Sequence, residues 1–166
     1  MEAGVGAGRL RGRDLERPFH GVRVDPAAAQ EARRFGSFPN SRAAEEFERL
    51  VKRCRAYAPL LRAGQFFSHE TAARLWKCPL PEPFSPAEPL HVSVFAPGRA
   101  PRSTGVAGHQ ATSGTIVDRF GLPVGDAAST WLSLAASLDP DDLVAVGDHL
   151  VLDPPVLDPY DIRPFT

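Results

Sequence analysis

At 166 residues the chain is long enough to bury a hydrophobic core without disulfide or metal support. Its 43% apolar and 23% charged residues are those of an ordinary globular protein, and no apolar run is long enough to span a bilayer. Residues 1–12 carry arginines and glycines but no apolar stretch of the kind a secretory signal needs, so a cytoplasmic protein is expected. Two cysteines, Cys54 and Cys78, are too few for a disulfide framework and lack paired metal-ligand spacing; both are expected to pack as small apolar side chains. The net charge of −1 conceals an asymmetry, with 15 Lys+Arg against 9 Asp+Glu up to Cys78 and 4 against 11 beyond it. A basic first half suits an anionic partner, or is simply a solvated helix face.

Residues 1–17 have small residues and spaced arginines with no periodic apolar face, and read as a flexible basic leader. Pro18 to Val24 reads as a turn entering a short strand. Asn40 and Ser41 are placed to cap a helix on which Phe47, Leu50, Val51, Cys54, Tyr57 and Leu61 recur on one face, expected to be buried against the sheet. Glu45 with Arg49, and Glu48 with Lys52, are favourable pairs at the four-residue offset. Gln65 to Phe67 is a short predicted strand, and Ser68 is placed to cap a second helix running through Trp76.

Seven prolines between Pro79 and Pro101 leave room for little helix, although Leu90 to Phe95 reads as a strand. Gly105 to Ala111 and Thr115 to Asp118 read as two more strands, joined by a turn at Thr112-Ser113-Gly114. A third helix is expected over Asp126 to Leu138. Asp139-Pro140-Asp141-Asp142 starts a fourth, because Asp caps, Pro suits the first helical position and acids favour the positive end of the dipole. Residues 153–166 read as a Pro-rich linker-like tail. The whole predicts an α+β fold, a small mixed or antiparallel sheet packed with about four helices over 18–152.

Ser68-His69-Glu70 invites a proton-transfer reading. Neighbours on a helix point apart, however, so capping by Ser68 and Glu70 in the first turn explain the same residues without chemistry. His69, His91 and His109 would have to converge in space to hold a metal, and their spacing matches no short ligand motif. Asp148-His149 suits a helix end. No phosphate loop, no Gly-x-Ser-x-Gly and no carboxylate–lysine nuclease set is present. No catalytic residue, metal or cofactor is therefore expected. If the basic half meets nucleic acid, Arg9, Arg11, Arg13, Arg49, Lys52, Arg53 and Arg55 are the residues that would touch it.

Phe66-Phe67-Ser68-His69-Glu70-Thr71-Ala72-Ala73-Arg74-Leu75-Trp76, followed by Pro79-Leu80-Pro81, resembles the helix motif of AbiEi-like proteins of type IV toxin–antitoxin systems. Leu90 to Val94, Gly121-Leu122-Pro123-Val124 and Asp142 to Leu150, with Asp148, continue the likeness. This order is similar to actinobacterial proteins in which an AbiEi-like region precedes a very-short-patch-repair-like endonuclease domain. The resemblance covers about residues 19–152, and its motifs, built around Ser68, His69, Thr71, Ala72, Leu75 and Trp76, are read as structural. It implies an antitoxin-like or accessory binding module, in a type IV toxin–antitoxin or phage-defence setting, with a toxin or nuclease-like chain as protein partner. The alternative is a DNA-associated module, a truncated regulator or the targeting part of an endonuclease-like protein. The winged helix-turn-helix that usually begins the family is matched only by residues 18–24, and the sequence stops where the nuclease-like domain would follow. A truncated or split member, or a standalone antitoxin-like module, without sequence-specific DNA recognition is the expectation.

Overall fold

The computed structural model describes residues 15–24 and 42–152. Most of the expected leader, the Asn40-Ser41 cap and the expected tail lie outside them. The chain divides into two compact units, Met1–Leu60 and Leu61–Thr166.

The first unit contains helix α1, Arg42–Tyr57, continued by a single 3-10 turn at Ala58–Leu60. The expected apolar face is the buried one: Leu50, Val51, Cys54 and Tyr57 are all sequestered, while Phe47 is half-buried. The Phe19 ring meets Tyr57 edge-on at 5.0 Å, a favourable aromatic geometry. Residues 18–24 do not form the expected strand. Glu16 and Val24 instead exchange two backbone hydrogen bonds of 3.0 Å in an isolated bridge that closes a loop turning at Gly21. Arg49 pairs with Glu45 as expected, at 3.1 Å, but Lys52 reaches Glu16 at 3.6 Å because that loop brings an acid beside it.

The second unit is built on a five-stranded mixed sheet in the order β3-β2-β1-β5-β4. Its strands are β1 Gln65–Phe67, β2 Leu90–Phe95, β3 Val106–Ala111, β4 Ile116–Arg119 and β5 Leu122–Gly125. β1 lies antiparallel to β2 and parallel to β5, while β2 and β3 run parallel. Helices α2 His69–Leu75, α3 Ala127–Leu134 and α4 Pro140–Val151 complete the unit, so the fold is α+β. Phe67, Leu75, Val92, Val124, Leu134 and Val146 are sealed in its core. Among the described residues, no helix is long and apolar enough to cross a membrane.

One local expectation holds for a clear reason, and a hairpin that was not expected accompanies it. Asp139 accepts hydrogen bonds from the Asp141 and Asp142 amides, with Pro140 at the first helical position. Gly121 follows Phe120 in a two-residue turn with both φ angles positive, at 73° and 58°, which matches the twist of the β4–β5 hairpin. Leu122 and Val124 are buried beyond it, and Pro123 stands opposite Asp118. Two expectations fail. The strands on either side of Thr112-Ser113-Gly114 do not pair, because β3 and β4 form opposite edges of the sheet. The third helix also stops at Leu134 rather than Leu138.

Replacing Leu50 by Ala should cost roughly 2–5 kcal/mol in denaturant unfolding, as truncation of a buried leucine does; a near-neutral result would mean the α1 face is not packed. Gly108 gives a second check. A Cβ there would collide with the Pro101 carbonyl oxygen, so Gly108→Ala should destabilise the chain by about 1–3 kcal/mol or more, the usual cost of overpacking.

Candidate functional site

Side chains alternate between the two faces of a strand, so His91 and Ser93 of β2 share a face. The β2–β3 register sets Ser93 opposite His109 and His91 opposite Ala107. On the other side of β2, Phe66 of β1 is paired with Ser93, which brings Ser68, two residues on, to the same region. The Ser93 hydroxyl donates to Ser68 Oγ at 2.7 Å, and both serines are buried. Three elements thus meet at one point.

Ser68 does not cap α2: its side chain makes no capping hydrogen bond, because the hydroxyl is committed to Ser93 and to His69. The claim that Ser68 and His69 must point apart also fails. His69 has φ 49°, not a helical value, and this turns its Nδ1 to within 3.0 Å of Ser68 Oγ. A left-handed conformation in a residue other than glycine costs of order 1–3 kcal/mol and is kept where the surroundings demand it. Thr71 adds the next tie, its hydroxyl accepting the His91 backbone N–H at 2.9 Å, while Ser68 N–H donates to the His91 carbonyl at 3.0 Å.

The three imidazoles gather in front of the serines. The His69 and His109 rings stack with centroids 3.8 Å apart, and those of His91 and His109 lie 5.1 Å apart. His91 Nδ1 is 3.0 Å from His109 Nε2 and 3.1 Å from Glu70 Oε2. One nitrogen from each of the three rings falls within 4.8 Å of the others, in metal-binding range. Convergence in space, which the sequence spacing argued against, is what the fold delivers.

Two of the rings, those of His69 and His109, are disfavoured as cations. Burial pushes His69 down to about 4, with His109 and His91 adding to the shift and Glu70 opposing it. Burial and His91 likewise lower His109, again against Glu70. Burial raises Glu70, but its own backbone N–H, His91, the Ser137 hydroxyl and His69 outweigh it and hold the carboxyl below its usual range. A neutral imidazole beside an ionised carboxylate is a donor set with lone pairs ready for use.

The remaining candidates separate from this cluster. Ala72, Leu75 and Trp76 are core residues, and Trp76 donates its indole N–H to the Gly125 carbonyl at 3.0 Å. Asp148 is exposed on α4. The neighbouring His149 ring nitrogen lies 3.1 Å from the Trp76 carbonyl, a tie between helices rather than a dyad with Asp148. Arg49, Lys52, Arg53 and Arg55 lie on α1, whereas Arg9, Arg11 and Arg13 fall outside the described residues. Arg49 and Lys52 each hold an acid, and Arg53 lies over the Phe19 ring at 5.9 Å. In the sequence alone His69 and Ser68 read as structural, and His91 and His109 as strand packing residues. The alternation that puts His91 and Ser93 on one face was readable; the register that adds His109 was not.

A lowered His69 pKa means the folded chain takes up that proton less readily than the unfolded one. The native state therefore keeps its stability above the ordinary histidine value of about 6.5 and loses it as pH falls toward 4. Thermal melts of chelator-treated protein should show Tm falling over that window. His69→Asn, which tolerates positive φ, should flatten the fall, and an unchanged slope would place His69 in a different environment. Compared with protein-family models, curated proteins and solved structures, the chain gives no match, so its chemistry is read from its own residues.

Proposed function

We propose that the chain works by binding, as the antitoxin-like or accessory module that its resemblance to AbiEi-like proteins implies, and that the cluster of His69, His91, His109 and Glu70 is where it binds. The convergence of three imidazoles and a carboxylate from α2, β2 and β3 carries this reading. A packing role would be filled as well by apolar side chains, which need no partners when buried. Hydroxyl chemistry fits poorly. Ser68 Oγ is the nucleophile such a site would use, but it is buried behind the rings and already engaged by Ser93 and His69. Ser68, His69 and Thr71, the polar members of the family-like motif, all belong to the cluster. The motif thus marks a binding site as well as a helix. The setting is a cytoplasmic toxin–antitoxin or phage-defence system with a toxin or nuclease-like partner chain.

The alternative, a DNA-associated module, rests on the side chains of Arg49 and Lys52, 57% and 48% exposed. Their acidic partners subtract from the charge a phosphate backbone would meet. Binding to duplex DNA should therefore be non-specific, of order 10⁻⁴ to 10⁻⁶ M at physiological salt, and should fall linearly on a log–log salt plot. Tight binding to one operator sequence, persisting at high salt, would make the regulator reading the better one.

The binding-module reading is tested by identifying a toxin-like or nuclease-like reading frame adjacent to its own and co-expressing the two chains. Growth arrest caused by the toxin-like or nuclease-like chain should be relieved by the wild type and not by folded His91→Ala or His109→Gln variants. Relief by the variants equal to that of the wild type would show that the cluster is not the working site.

A further inference from the structure

Resting on the reading of this cluster as a binding site, we infer that its ligand is a single divalent transition-metal ion of the zinc class. His69, His91 and His109 hold the ion through imidazole nitrogens, and Glu70 Oε2 is the fourth donor. Imidazole with one carboxylate is the donor set that such ions prefer, whereas calcium and magnesium take oxygen almost exclusively.

Proton counting is the first argument. His91 Nδ1 faces both Glu70 Oε2, at 3.1 Å, and His109 Nε2, at 3.0 Å. An imidazole nitrogen carries at most one hydrogen, so Nδ1 can satisfy one of these neighbours and not both. The cost shows on the carboxylate: Glu70 Oε2 is shut off from solvent and makes no aligned hydrogen bond. A carboxyl oxygen shielded from solvent and left without a hydrogen bond is expensive. One cation between the three atoms replaces the missing proton and satisfies all of them.

Distance is the second argument. Metal–nitrogen bonds of about 2.0–2.1 Å in a tetrahedral shell put neighbouring donors about 3.3 Å apart. The His91–His109 and His91–Glu70 separations are already within a few tenths of an ångström of that. The donor nitrogens lie at most 4.8 Å apart, so no pair has to close by more than about 1.5 Å. An ion lies near the plane of each imidazole that holds it. Coordination therefore requires the stacked His69 and His109 rings to fan apart, a movement that their partial exposure allows.

The outer shell is the third argument. A metal-bound histidine donates its other ring N–H to a fixed acceptor, which sets both tautomer and orientation. Ser68 Oγ accepts the Ser93 hydrogen on one lone pair and has the other for His69 Nδ1–H. That tautomer leaves the Nε2 lone pair of His69 for the ion. Ser68 and Ser93 are then positioning residues, and the left-handed backbone at His69 is what aims the ring.

The test uses the full chain, stripped with chelator, then titrated with Zn²⁺ by calorimetry and with Co²⁺ by visible absorption. One ion per chain should bind, and Co²⁺ should give the d–d bands of a four-coordinate site. His91→Ala and His109→Gln should each weaken binding roughly 100-fold or more, and Ser68→Ala roughly 10–100-fold, the usual effect of removing an outer-shell partner. His20→Ala, at an exposed histidine of the other unit, should leave affinity unchanged. Circular dichroism of the chelated variants separates a lost ligand from a lost fold. Absence of stoichiometric uptake, or full affinity in folded His109→Gln, overturns the inference. The growth assay keeps the two proposals apart. If no metal binds and His91→Ala still fails to relieve arrest, the ion is wrong and the cluster stands as the working site. If the ion binds as described and relief survives the variants, the metal site stands and the cluster is not what the partner system uses.

Discussion

Ser93 stands beside His109 because β2 and β3 run parallel in register from the Leu90–Val106 pair to the Phe95–Ala111 pair, and the other distances in the cluster follow from that alignment. The antiparallel β1 fixes the opposite flank, placing Phe66 against Ser93 and carrying the chain into Ser68. A slip of one residue in either pairing would turn a site residue to the other face of the sheet. The buried Leu90, Val92 and Val94 on one face of β2 oppose such a slip. Hydrophobic packing on one side of a strand thus holds the polar geometry on the other.

The charge asymmetry between the two halves resolves into local arrangements. In the first unit Arg42, Arg49 and Lys52 each pair with a glutamate, and exposed pairs of this kind contribute little to stability. In the second unit, Asp139, Asp141 and Asp142 gather at the start of α4, where the helix dipole favours negative charge. A partly buried bidentate pair, Arg74 with Glu88 at 3.1 and 2.9 Å, ties α2 to the loop before β2. Net charge on a segment of sequence is therefore a poor guide to a surface here.

Local signals in the sequence were read correctly where the cause was local. The buried stripe on α1 follows from a 3.6-residue period, and the start of α4 follows from Asp139 and Pro140. The class of fold was legible in the same way, from the alternation of helical and strand patterns. The failures share a different cause. Ser68 looked like a cap because capping is the commonest use of serine before a helix, and only a long-range partner, Ser93, diverts it. Sequence position gives His69 a helical direction that its positive φ denies. The turn at Thr112-Ser113-Gly114 suits a hairpin, yet a parallel neighbour for β2 sends the flanking strands to opposite edges. The cluster itself depends on residues 22 and 18 positions apart, and pairing at that range is set by the sheet, not by spacing.

Loops on a protein surface ordinarily absorb insertions and deletions over evolutionary time. The segment between β2 and β3, exposed over much of its length and containing Pro97 and Pro101, has the composition of such a loop. Its backbone, however, rests against β3 where Gly108 has no side chain, with the Pro101 carbonyl occupying the place of a Cβ. Its length then sets where β3 begins and which residue of β3 meets Ser93. Descendants of this chain that keep the imidazole at 109 should vary freely in the identity of Arg99, Arg102 and Thr104 while keeping the number of residues from Phe95 to Gly108 unchanged.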